Sequence, residues 1–163
     1  MSDPDHSTGP RVIAVQPREE EEEFVLFACH GRLPEQAIRN FARTLREQVA
    51  GGRAFHCLIA DDRTLRRLNR KFRGKDYPTD VLSFPSEQRD FLGEIAISSH
   101  RAMSQALEFG HPALIEIQIL MLHGVLHLLG MDHENDSGDM ARAEALWRKK
   151  LGLPTGLIER ARS

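Results

Sequence analysis

The stretch Ala113 to Leu129 is apolar on nearly every side, interrupted only by Glu116, Gln118, His123 and His127. His111-Pro112 opens it and Gly130 stops it, which reads as one helix. A helix with no polar face has to be buried. It does not reach the roughly 18 uninterrupted apolar residues of a membrane span, and neither does any other segment. The remainder of the chain must therefore wrap it. A length of 163 residues is about one domain, because domains cluster at roughly 100 to 150 residues. Hydrophobic residues at 40%, charged residues at 28% and a mean hydropathy of −0.41 exclude a membrane protein and a wholly disordered chain.

Short elements surround that helix in the sequence. Met1 to Pro10 has the composition of a frayed tail, Arg11 to Gln16 the β-branched content of a strand, and Glu19 to Glu23 is an acid run that stays in water, followed by the apolar Phe24 to Cys29. Pro34 opens a helix with Ala37, Ile38, Phe41, Ala42, Leu45 and Val49 inward, closed by Gly51-Gly52. Phe55 to Ala60 is a buried strand, and Asp61 or Asp62 caps a helix that buries Leu65, Leu68 and Phe72 and runs to about Gly74. After the turn Tyr77-Pro78-Thr79-Asp80 come strands at Val81 to Phe84 and Leu92 to Ser98, then a helix from Ser98 or Ser99 to Gly110. A last amphipathic helix, Asp139 to Leu151, presents Ala143, Leu146 and Trp147. Strands mixed with helices that gather late argue for α+β or a small α/β layer. Two cysteines, Cys29 and Cys57, form no CxxC and read as apolar filler in a reducing compartment. The polar, acidic N-terminus is no signal peptide, so the expected location is the cytoplasm.

The chemistry lies in His123-Gly124-Val125-Leu126-His127-Leu128-Leu129-Gly130-Met131-Asp132-His133. Four residues turn a helix by about 400°, so His123 and His127 project from one face and can share an ion. Gly130 ends the helix, and the returning chain delivers His133 as a third nitrogen. Three neutral imidazoles leave a tetrahedral Zn²⁺ with one open position, a catalytic rather than a structural arrangement. A water held there has its pKa lowered from about 15.7 toward 7. With 8 His and 12 Gly in the chain, the spacing H-x3-H-x2-G-x2-H arises by chance in about one of 700 such chains. Metzincin proteases share the spacing but carry a Glu base after the first His. Gly124 occupies that position here, so peptide hydrolysis loses its proton acceptor.

A net charge of −2 gives the whole molecule no field to draw in nucleic acid. The charge is uneven, however. Arg63, Arg66, Arg67, Arg70, Lys71, Arg73 and Lys75 put +7 into a stretch without an acid, leaving −9 elsewhere, more than half of it in Glu19 to Glu23. A phosphodiester and its more negative transition state suit a metal ion beside a guanidinium, and Arg contacts phosphate better than Lys. Zinc with a local basic patch therefore points to phosphodiester cleavage. The competing classes are a metal-dependent hydrolase of another substrate, and a non-catalytic RNA-binding module whose zinc is structural. Around the motif, Glu116 complements the positive start of its helix or lines the cleft, Asp132 orients a ligand His or serves the turn, Asp80 holds the turn before the strand, and Trp147 belongs to the core.

HGVLHLLGMDH (His123 to His133), LNRKFRGKDYPTDVLSFP (Leu68 to Pro85) and LGEIAIS (Leu92 to Ser98) together resemble the bacterial YbeY family of endoribonucleases, with similarity of pattern from about Arg11 to Leu153. The resemblance implies one α+β domain over residues 11–153 with tails at 1–10 and 154–163, and a small, mostly parallel four-stranded sheet among about five helices. It also implies one zinc ion on His123, His127 and His133 at the end of the buried helix, and cleavage of single-stranded RNA. The implied work is maturation of the 3′ end of small-subunit ribosomal RNA and ribosome quality control. Partners would be that RNA, the small subunit and ribosome-associated proteins, with no membrane and no DNA. By position the family's functional Arg falls on Arg73, expected on phosphate beside the catalytic His123, with Arg66 and Arg70 as further RNA contacts. Phe72 stands where a Tyr is commoner, and the acidic insertion Pro17 to Glu23 departs from the family's close spacing of first strand and helix.

Overall fold

The computed structural model describes residues 24–132 and 137–154. Within them the order is β1 (Phe24–Ala28), α1 (Glu35–Gln48), β2 (Ala54–Ala60), α2 (Asp62–Arg73), β3 (Val81–Pro85), β4 (Phe91–Ser98), α3 (Ser99–Phe109), α4 (Ala113–Leu128) and α5 (Asp139–Lys150). The strands form one four-stranded sheet in the order β1-β2-β4-β3. β1, β2 and β4 are parallel, and β3 lies antiparallel on the edge. This is a single small α+β domain with a mostly parallel sheet and five helices.

Period-two alternation divides the core. Phe55, Cys57 and Ile59 of β2 join Ile95 and Ile97 of β4 on the face covered by α1 and α4, while Leu58, Ala60 and Ala96 join Leu65 and Leu68 of α2 on the other. With both faces covered, β2 and β4 are buried almost end to end. The expected wrapping of the apolar helix is realised: Ile117, Ile119, Leu120, Met121 and Leu122 of α4 are wholly buried in the larger cluster.

Two sequence expectations change. The parallel partner of β2 is Phe24–Ala28, a stretch that reads in the sequence only as apolar and lies between the acid run and α1. Arg11 to Gln16, the tail Met1 to Pro10 and the run itself lie outside the described residues, as do 155–163. On α5 the inward face is Met140, Glu144 and Arg148, with Ala143 and Trp147 packed partly against the core. Leu146 is 51% exposed. Placing Leu146 inward set the face too far round the helix, because a buried Glu and Arg masked the true i, i+4 stripe.

Candidate active site

The last two turns of α4 carry both histidines beneath the edge strand β3. Ser83 Oγ donates to the carbonyl of Gly124 at 3.2 Å. A Cβ on Gly124 would stand 2.9 Å from Ile95 Cγ2 and 3.0 Å from its Cδ1, and Ile95 is fully buried. The position that holds the general base in a metzincin is thus a close-packing position here, where only glycine lets the helix approach the sheet.

An open cleft of about 190 Å³ runs between β3 and the end of α4, lined by Arg73, His123, His127 and the strand residues Val81, Leu82, Ser83 and Pro85. The Nε2 atoms of His123 and His127 are 3.0 Å apart. On a tetrahedral zinc with bonds of about 2.0 to 2.1 Å, two such nitrogens stand about 3.3 Å apart, so the pair fits a shared ion with little movement. His133 lies outside the described residues, and among those described no three His, Cys, Asp or Glu converge to hold a metal.

Arg73 ends α2 just before Gly74, whose φ of 68° closes the helix. Its guanidinium donates to the Ser83 carbonyl and lies 5.6 Å from the centroid of the Phe84 ring. Phe72 packs edge-on against the same ring, with centroids 5.4 Å apart, so its packing role needs no hydroxyl. Arg66 and Arg70 go elsewhere. Arg66 Nε lies 2.8 Å and Arg70 Nη1 4.0 Å from the Asp76 carboxylate, and neither lines the cleft. The Arg66 hydrogen bond holds the Asp76 carboxyl below the usual carboxylate range. Of the three arginines expected on RNA, the structure brings only Arg73 to the histidines. Asp76 sits one residue past the basic stretch and offsets it.

Glu144 was not anticipated. Its Oε1 lies 2.5 Å from Nδ1 of His123, both side chains being buried. The only signal in the sequence is Met140, Glu144 and Arg148 at helical spacing, a stripe that reads as surface until α5 is docked. Glu116 is fully buried in the first turn of α4 and 2.8 Å from His111 Nε2, at the helix start and not in the cleft lining. The Asp80 carbonyl accepts from Ser98 N at 2.9 Å and its carboxylate from Gln105 Nε2 at 3.3 Å, tying the turn to β4 and α3. Trp147 packs against the core. Burial pushes the Cys57 thiol up to about 12, where it is unreactive.

The profile of the Endoribonuclease YbeY family matches residues 30–152. An Endoribonuclease YbeY from Solibacter usitatus (strain Ellin6076) is 64% identical over 127 residues, covering 78% of this chain and 86% of the relative. One from Koribacter versatilis (strain Ellin345) is 47% identical over 126 residues, covering 77% and 83%. The solution structure of TM1509 from Thermotoga maritima matches the fold with a TM-score of 0.54 at 25% identity, covering 85% of this chain and 99% of that one. Fold and matches together define a hydrolytic endoribonuclease. The chain belongs to the endoribonuclease YbeY family. No single helix among the described residues is long and apolar enough to cross a membrane.

Proposed function

We propose that this enzyme is a zinc-dependent, single-strand-specific endoribonuclease of the cytoplasm that acts on the 3′ end of small-subunit ribosomal RNA and in ribosome quality control. The reading is supported above all by the convergence of His123, His127 and Arg73 on one cleft. His123, His127 and His133 would hold one zinc ion per chain; when bound, zinc supplies Lewis acidity to a phosphoryl oxygen and to water at neutral pH. Arg73 presents five N–H donors in a planar fork, enough to hold the Ser83 carbonyl and a phosphate together. The Ser83 contact aims it before substrate arrives. A cleft of about 190 Å³ is smaller than the roughly 300 to 1,000 Å³ that encloses a drug-sized ligand. A phosphodiester is small enough to enter it with the strand lying along its open side, and a flexible single strand can turn its backbone into it more readily than a duplex. The partners on this reading are ribosomal RNA and the small subunit, with ribosome-associated proteins in support.

The test is cleavage of an end-labelled single-stranded RNA, the same RNA as a duplex, and the matching DNA. The parent should cut only the single-stranded RNA, His123→Ala should fall to background, and Arg73→Ala should lose about 10² to 10³ in rate, as for removal of one donor to a developing charge. Equal cleavage by parent and both variants would assign the activity to a contaminant and overturn the reading. The product ends separate two attacks: a 2′,3′-cyclic phosphate means that the 2′-OH is the nucleophile, and a 5′-phosphate with a 3′-OH means water.

A further inference from the structure

Glu144 belongs to α5, does not line the cleft, and still makes the 2.5 Å contact with His123 from 21 residues along the chain. A neutral imidazole carries one proton. With a carboxylate at Nδ1 that proton belongs on Nδ1, which leaves Nε2 bare. Nε2 is the atom that faces Nε2 of His127, and a metal-binding imidazole nitrogen must be bare. We propose that Glu144 is a positioning residue: its carboxylate accepts the Nδ1 proton of His123, fixes the ring in this orientation and tautomer, and makes Nε2 a stronger donor. The consequence for ligation rests on the zinc reading above, whereas the control of the tautomer does not.

The placement of Glu144 favours this role over simple docking of α5. His123 is 6% and Glu144 8% exposed, and Met140 one turn earlier is wholly buried in the main core. An apolar side chain at 144 would dock the helix at lower cost, since a buried carboxylate has to be satisfied by hydrogen bonds. The fold instead places at this inward-facing helix position a carboxylate that lies 2.5 Å from His123 Nδ1. Seating α5 and orienting His123 thereby become one event.

The experiment compares the full chain with Glu144→Gln and Glu144→Ala by two measurements. In metal-free protein, 15N NMR of the histidines, with His123 assigned by its loss in His123→Ala, should show the Nδ1–H form in the parent and a mixture in Glu144→Ala. Zinc affinity, from competition with a chromophoric chelator, should fall by about 10- to 100-fold in Glu144→Ala. Glu144→Gln keeps the size and an accepting carbonyl, so it should fall less and remain informative if the alanine variant does not fold. An unchanged tautomer and unchanged zinc affinity in both variants would reduce Glu144 to a helix strap and overturn the proposal. A parent with His123 in the Nδ1–H form that binds no zinc would instead overturn the zinc reading, and with it the role of Glu144 in ligation.

Discussion

α4 and α2 meet at the cleft, yet they hold their functional side chains by opposite means. α4 is buried nearly all round, and its polar groups have partners inside the protein: Glu116 with His111 and His123 with Glu144. α2 is amphipathic and largely wet. Asp61 caps its start by accepting from Thr64 N at 2.9 Å, Gly74 ends it, and Asn69 ties it down through the Tyr77 carbonyl at 2.9 Å. On α4 burial itself makes orientation obligatory, because an unsatisfied polar group there is costly. On α2 the arginines are free to be sorted by neighbours, so Ser83 claims Arg73 and Asp76 claims Arg66. The count of positive charges overstated what reaches the histidines.

The two helices should fail differently. Glu116→Ala leaves His111 without its buried carboxylate and opens a cavity, and should cost about 2 to 4 kcal/mol in chemical denaturation. The folded fraction should still cleave RNA normally; a loss of cleavage at unchanged stability would place Glu116 in the site. On α2, Asp61→Ala should cost about 1 kcal/mol, the usual worth of an N-cap. The backbone hydrogen bond from Thr64 holds the Asp61 carboxyl below its usual range. A lowered pKa in the folded state means a contribution that is full above the unfolded value of about 3.9 and fades as the pH falls through the lower folded one. The gap between parent and Asp61→Ala should therefore narrow below about pH 4. Arg66→Ala should have the smallest effect, within about threefold in kcat/KM, since an exposed pair such as Arg66–Asp76 contributes little. A loss as large as that of Arg73→Ala would mean that RNA extends well along α2.

The ordering of effects mirrors what was legible in the chain. The burial of α4, the shared face of His123 and His127 and the strands β2, β3 and β4 follow from local periodicity, and they appear where the pattern puts them. What was hidden depends on contacts between segments distant in sequence. Phe24–Ala28 reads only as apolar until it pairs with β2. The Glu144 carboxylate reaches His123 from α5, 21 residues along the chain, because docking of Met140 turns Glu144 inward. Gly124 looks like a missing base, and its reason, Ile95 across the sheet interface, appears only in three dimensions.

The central claim is that the paired histidines serve a metal on which cleavage depends. Zinc titration of chelator-stripped enzyme, read as cleavage of single-stranded RNA, tests it most directly. Activity should rise from background and break at about one equivalent per chain, with no recovery in His123→Ala. Cleavage by the stripped parent at the rate of the reconstituted enzyme would contradict the account.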